Sequence, residues 1–266
     1  MMGKRLLILF LALLILFTGC QRTETAAEFL ANSIQSLQTS KSASITLDFK
    51  LEGTVRQTGG DAKCAITSSV TGAVMQAEHY YEDMLYDIKV QNPVGEDLCR
   101  ADRIALVRRE EGDETAVLCR LPGDNWVGIP TQEQTDMFFA GLLAEFAQNA
   151  ERQKDGTFIS KISGDAARRL LVWAMGRDGL YNLNLIAWNK GDFSATLILD
   201  DTMQYPATLT VDYKTIGTQL AELITDRHGV ASSITSATLT LTFSDYGRIS
   251  GMDLPPIIKP TGDGLF

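Results

Sequence analysis

The chain is poor in the residues that do chemistry. Its 266 residues include only two histidines, His79 and His228. No HExxH, CxxC, GxSxG or phosphate-binding glycine loop accompanies them. The usual sequence signs of metal hydrolysis, nucleophilic catalysis and nucleotide binding are therefore missing. His79 stands near Glu78, Glu82 and Asp83, but on an extended segment Glu78 and Glu82 share one face while His79 and Asp83 share the other, so the four do not converge on a metal. The adjacent Asp200 and Asp201 also point apart on a strand, whereas a glycosidase pair must flank one bond across about 5–9.5 Å. The expectation is a protein that is not an enzyme and takes neither cofactor nor metal.

Cysteine is scarce as well. Besides Cys20 there are only Cys64, Cys99 and Cys119, which form neither a disulfide framework nor a zinc pattern. They allow at most one intramolecular bridge; Cys99 with Cys119 is conceivable on neighbouring strands, and buried thiols are as good a reading. Positive charge is in deficit, with 24 Lys and Arg against 33 Asp and Glu. That argues against nucleic acid and against a surface drawn to anionic head groups.

Long apolar runs are absent except for one. Leu6 to Phe17 is twelve unbroken apolar residues behind Lys4 and Arg5, too short for the about 20 residues that span a bilayer, so it reads as an export signal. Thr18, Gly19 and Cys20 close it. This ending resembles the lipobox of bacterial lipoprotein precursors. The resemblance implies that residues 1–19 are a signal peptide, that Cys20 takes a diacylglyceryl thioether and becomes the first mature residue, and that the chain is held at the extracytoplasmic face of the cell membrane. Two acyl chains give stable anchoring where one gives only reversible binding. Removing residues 1–19 leaves 22 basic against 33 acidic residues in 247, a side-chain charge of −11. That length suits one domain with a sizeable core, or at most two small ones.

Residues 20–26 read as a tether, 27–258 as the folded domain and 259–266 as a loose tail. Ala27, Leu30, Ile34 and Leu37 recur at helical spacing and predict a helix over 24–38. From 44 to 55 the period becomes two, with Ile45, Leu47, Phe49 and Leu51 on one side and Thr46, Asp48, Lys50 and Glu52 on the other, as in a strand with one wet face. Extended segments are expected over 62–78 and 80–90, and a hairpin over 103–109 and 115–121. Thr131 with Gln134 starts a helix running to about 149. Its apolar stripe of Met137, Phe138, Leu142 and Phe146 is broad enough for burial on two sides, or for an apolar surface over a cavity. A strand over 157–162 and a helix over 166–175 follow. Strands over 179–187, 193–200, 207–213 and 236–243, with a helix-like stretch at 218–224, complete an antiparallel meander.

The order of anchoring cysteine, amphipathic helix FLANSIQSLQTSKS, long strand SITLDFKLEG, central helices and the pair FSATLILDDTMQYPATLTVDY is similar to the LolA/LolB-like superfamily, in its lipid-anchored extracytoplasmic members. Leu197, Leu199, Asp200 and Pro206 carry the resemblance in that pair, and ATLTLTFSDYGRISGMDLPP carries it at the end. It implies an α+β fold in which a curved antiparallel sheet, a half-barrel, is covered by helices and encloses an apolar cavity. On that reading Ile45, Leu47 and Phe49 on the sheet, with Met137, Phe138, Leu142 and Phe146 on the lid, would bind a lipid or other apolar ligand. The second reading is an envelope-structural or protein-interaction module with a packed core and no ligand cavity, its protein partners unnamed by the sequence.

Overall fold

The computed structural model describes residues 25–57, 60–76, 80–111, 114–120, 126–129, 138–175, 183, 186–188, 191–224 and 230–249. Cys20, Met137, the Thr131–Gln134 helix start, both histidines and the 259–266 tail lie outside the described residues.

Helix α1 (Ala26–Thr39) opens on a capping box. The Thr25 hydroxyl accepts the Glu28 N–H at 3.2 Å, and the Glu28 carboxylate accepts the Thr25 N–H at 3.0 Å, so two of the orphan donors at the helix start are met. Leu30 and Ile34 then turn inward. The chain continues as β1 (Ser42–Gln57), β2 (Gly60–Gln76), β3 (Tyr80–Gln91), β4 (Leu98–Glu111), β5 (Glu114–Arg120) and β6 (Trp126–Ile129), each antiparallel to the last. After α2 (Phe138–Gln148) it resumes at the opposite edge with β7 (Glu151–Arg152) and β8 (Phe158–Ile162). Then come α3 (Gly164–Met175), β9 (Phe193–Leu199), β10 (Pro206–Asp212), a 3₁₀ turn at Lys214–Ile216, α4 (Gly217–Ile224) and β11 (Val230–Ser244). β11 closes the tour by pairing with β1. The sheet order is β6-β5-β4-β3-β2-β1-β11-β10-β9-β8-β7.

Period-two patterning sets the two faces. Inward residues of β1, β2, β3, β9, β10 and β11 join α1–α4 in one continuous apolar core. The outer face is wet and hydroxyl-rich: Thr71, Thr46, Thr242 and Thr208 stand opposite one another in a row across β2, β1, β11 and β10. Threonine's branched Cβ suits a half-exposed pleat.

The expected half-barrel is not what forms. The ladder is open and uncurled: it runs from β6 to β7, and among the described residues nothing pairs those two edges. The α+β class holds, but the helices fill the inner face with side chains, so the apolar surface is buried without the sheet closing around a lumen.

Three local expectations also change. Residues 183, 186 and 187, expected in a strand, instead belong with Trp188 to a compact turn in which the Ile186 N–H reaches the Leu183 carbonyl at 3.2 Å and the Trp188 indole N–H reaches the same carbonyl at 2.8 Å. β11 begins at Val230 rather than at 236, lengthened by its pairing with β1. Cys99 and Cys119 do lie on adjacent strands, but Cys119 faces Leu106, seven residues along β4 from Cys99. That is a separation of about 23 Å at strand rise, far beyond disulfide reach.

Candidate functional site

Ile45, Leu47 and Phe49 are 3 %, 0 % and 1 % exposed in β1, and Leu142 and Phe146 are 2 % and 0 % exposed in α2. The structure thus brings five of the seven expected ligand residues into one core. Phe138 opens α2.

Among the described residues those five pack as core and line no ligand chamber. Phe49, Ile66, Leu171, Met175, Leu183, Leu220 and Leu223 surround a void of about 10 Å³. That is about one water's worth, whereas ligand pockets run to about 300–1,000 Å³. Around Phe49 the space is taken by rings: Tyr213 meets Phe49 edge-on at 5.9 Å, Trp188 edge-on at 6.4 Å and Phe193 at 5.4 Å. The Tyr213 hydroxyl donates to the Ala167 carbonyl of α3 at 2.7 Å, so its one polar atom is satisfied inside the core. The expectation of an apolar carrier is therefore corrected: the width of the α2 stripe is spent on packing against α1 and β8.

Among the described residues open space of ligand size lies instead on the surface, at the β8 edge. A recess of about 560 Å³ is lined by Glu145 of α2 and Asn149 just past its end, Glu151 of β7, residues 159–162 of β8 with Ser163, Ser194 of β9 and Asp192 just before it. It exists because β7 is short. Gln153 donates to the Thr157 carbonyl at 2.8 Å, and the next pair is Glu151 with Ile159. The ladder then stops, because the Ala150 N–H turns back to the Ala147 carbonyl at 3.4 Å. In an antiparallel ladder alternate residues turn their main-chain groups to the same neighbour, so 157, 159, 161 and 163 face the β7 side. The Ser163 N–H on that side is met by the Glu145 carboxylate. Lys161 presents its N–H and C=O to the recess, beyond the end of β7.

Ser163 also caps α3, its hydroxyl accepting the Ala166 N–H at 3.2 Å. Glu145 therefore sits where the positive end of the α3 dipole favours a carboxylate. Arg152, the cation nearest in sequence to Glu151, is engaged elsewhere: its guanidinium lies 4.9 Å from the Phe29 ring centre and 5.7 Å from that of Phe158. The recess thus holds Glu145, Glu151 and Asp192 against Lys161, an excess of two negative charges.

Ser160 adds a second oddity. It is 6 % exposed and lines the recess, and its hydroxyl has no hydrogen-bond partner. Buried Ser68, by contrast, donates to the Ala174 carbonyl in the last turn of α3. An unmet buried hydroxyl is uncommon and calls for a reason.

None of these recess residues stood out in the sequence. Ser160 had a readable signal, because the alternation in FISKI puts it on the apolar side between Phe158 and Ile162. Glu145 and Asp192 had none, since their meeting with β8 is tertiary. Lys161 and Ser160 leave the strand on opposite faces, so they form no serine–lysine pair. Among the described residues no three His, Cys, Asp or Glu side chains gather as a metal site, and no helix is long and apolar enough to cross a membrane. No protein-family model matches the chain, and no curated protein matches it. The LolA/LolB-like resemblance thus has no support from these comparisons, and the fold it implied is the one the open sheet corrects.

Proposed function

We propose that the chain is a non-catalytic protein-interaction module, tethered outside the cytoplasm by an acyl anchor on Cys20, that meets its partner at the β8-edge recess. The observation that carries this reading is the contrast in space: about 10 Å³ inside the core against about 560 Å³ at the sheet edge. Among the described residues the core offers no chamber of ligand size, so binding falls to the surface, and the free β8 edge with the unpartnered Ser160 hydroxyl is the part of that surface least finished by the chain itself. The anchor rests on Lys4, Arg5, the twelve-residue apolar run and Thr18-Gly19-Cys20. It keeps a strongly acidic body beside a membrane that its charge does not attract.

Photo-crosslinking in cells tests the reading, with a benzophenone amino acid placed at Asn149 or Ser194 in the recess and at Asp87 on the far part of the sheet. A discrete protein adduct is expected from the first two positions and not from the third. Adducts to lipid alone, or no protein adduct from either recess position, would overturn it. The anchor has its own test: Cys20→Ala is expected to abolish incorporation of radiolabelled fatty acid, and retained label would remove Cys20 from the scheme.

A further inference from the structure

Resting on that interaction reading, we infer that the recess takes an extended, arginine- or lysine-bearing segment of a partner protein, which adds as a short strand to the free length of β8.

Four observations converge on this occupant. The first is the edge. β7 covers only Phe158 and Ile159 of β8, leaving Ser160–Ile162, about 10 Å of strand, with the Lys161 N–H and C=O facing outward. Main-chain groups in this state are met by an added strand. The second is charge. Among the described residues Glu145, Glu151 and Asp192 line the recess against the single cation Lys161, so a basic side chain of the added strand meets carboxylates there. The third is the Ser160 hydroxyl, buried against the recess with no partner, which a donor from the incoming segment would satisfy.

The fourth is an apolar foothold on the outer face. Ile159 and Ile198 are 44 % and 46 % exposed, and Ile159 stands opposite Thr196, which places Ile198 diagonally across from it. Of the two, Ile159 stands at the last position β7 covers, where the nearest side chain of an added strand would rest. A second copy of the chain is the poorer occupant, because without residues 1–19 each copy carries a side-chain charge of −11 and would bring acidic residues to an acidic recess.

The test uses the full-length protein in detergent and three fluorescein-labelled dodecapeptides. One alternates arginine and valine, one alternates glutamate and valine, and one repeats the first with every amide N-methylated, which keeps charge but removes the N–H donors of both strand edges. The arginine peptide is expected to bind and to slow hydrogen exchange at the Lys161 amide. The glutamate and N-methylated peptides are expected to bind about tenfold or more weakly than it does. Glu151→Gln with Asp192→Asn, both at exposed positions, should weaken the arginine peptide by about fivefold or more. Adding Glu145→Gln keeps an acceptor for the Ser163 N–H while removing the third charge, and should weaken it further.

Equal binding of the N-methylated peptide would reduce the effect to charge alone and overturn strand addition. So would undiminished binding to the neutralised variants, protection at amides away from β8, or no binding at about 1 mM peptide. Crosslinking separates this failure from that of the broader reading. If recess positions crosslink a protein in cells while the arginine peptide fails, the interaction reading stands and the basic-strand inference falls.

Discussion

Truncating Phe49 to alanine tests whether the interior is solid. The ring is 1 % exposed in β1, borders the void of about 10 Å³, and meets Tyr213 edge-on at 5.9 Å. Returning its apolar surface to water costs about 1.5–3 kcal/mol. A vacated volume of about 100 Å³, at about 24 cal/mol per Å³, adds about 2.4 kcal/mol if nothing relaxes. Loss of the edge-on ring pair adds about 0.5–1.5 kcal/mol. Partial collapse of Leu171, Met175 and Leu220 into the gap lowers the sum, and the expected loss is about 4 kcal/mol, within the range of about 3–5 seen for buried Phe→Ala. Urea denaturation followed by circular dichroism reads it as a fall in midpoint with the slope unchanged. The new cavity is apolar and should bind benzene, which the parent protein should not. A loss below about 1 kcal/mol, as expected of a ring facing an already open chamber, would refute the packed-core argument.

Other positions can be tested in the same way. A Cβ on Gly164 would stand 1.9 Å from the Trp188 carbonyl oxygen, so Gly164→Ala should destabilise by about 2 kcal/mol instead of giving the about 1 kcal/mol gain usual for that exchange in a helix, and an unchanged or raised Tm would contradict the close approach. Burial pushes the Asp200 carboxyl up, but hydrogen bonds from the Thr202 hydroxyl and the Tyr205 and Gln204 N–H groups outweigh it and hold the carboxyl below its usual range. Its folded value is thus below its unfolded one, so its contribution is complete above about pH 4 and is lost as pH falls through the folded value. Asp200→Asn should flatten that acid limb in urea titrations, and an unaltered limb would refute the assignment. Cys99 is exposed, whereas Cys64 is buried and desolvation raises its thiol. Iodoacetamide at pH 8 with peptide mapping should label Cys99 rapidly and Cys64 only in denaturant, and equal labelling rates would place Cys64 outside the core.

Much of the architecture was legible because it is local. The alternation of Ile45, Leu47, Phe49 and Leu51 marked the inner face of β1, and the repeat of Leu30 and Ile34 marked α1. The T-x-x-E box at Thr25 and Glu28 is legible by the same local rules. Residues 179–187 misled because alternation does not reveal whether a neighbouring strand is within reach; at Leu183 and Trp188 the chain turns onto itself. The breadth of the α2 stripe was real, but apolar width is the same whether it faces side chains or empty space.

For this protein, then, period determined the main helices and the inward and outward faces of the main strands, and composition an acidic chain, all of which are read from the sequence without knowing which distant elements meet. Tertiary structure alone decided that the sheet stays open, that the interior is filled, and that Glu145, Ser160, Lys161 and Asp192 meet at one edge. Volume and convergence depend on how distant elements settle against one another, and the shortness of β7, which exposes the edge, follows from where Ala150 turns back rather than from any repeat in the sequence.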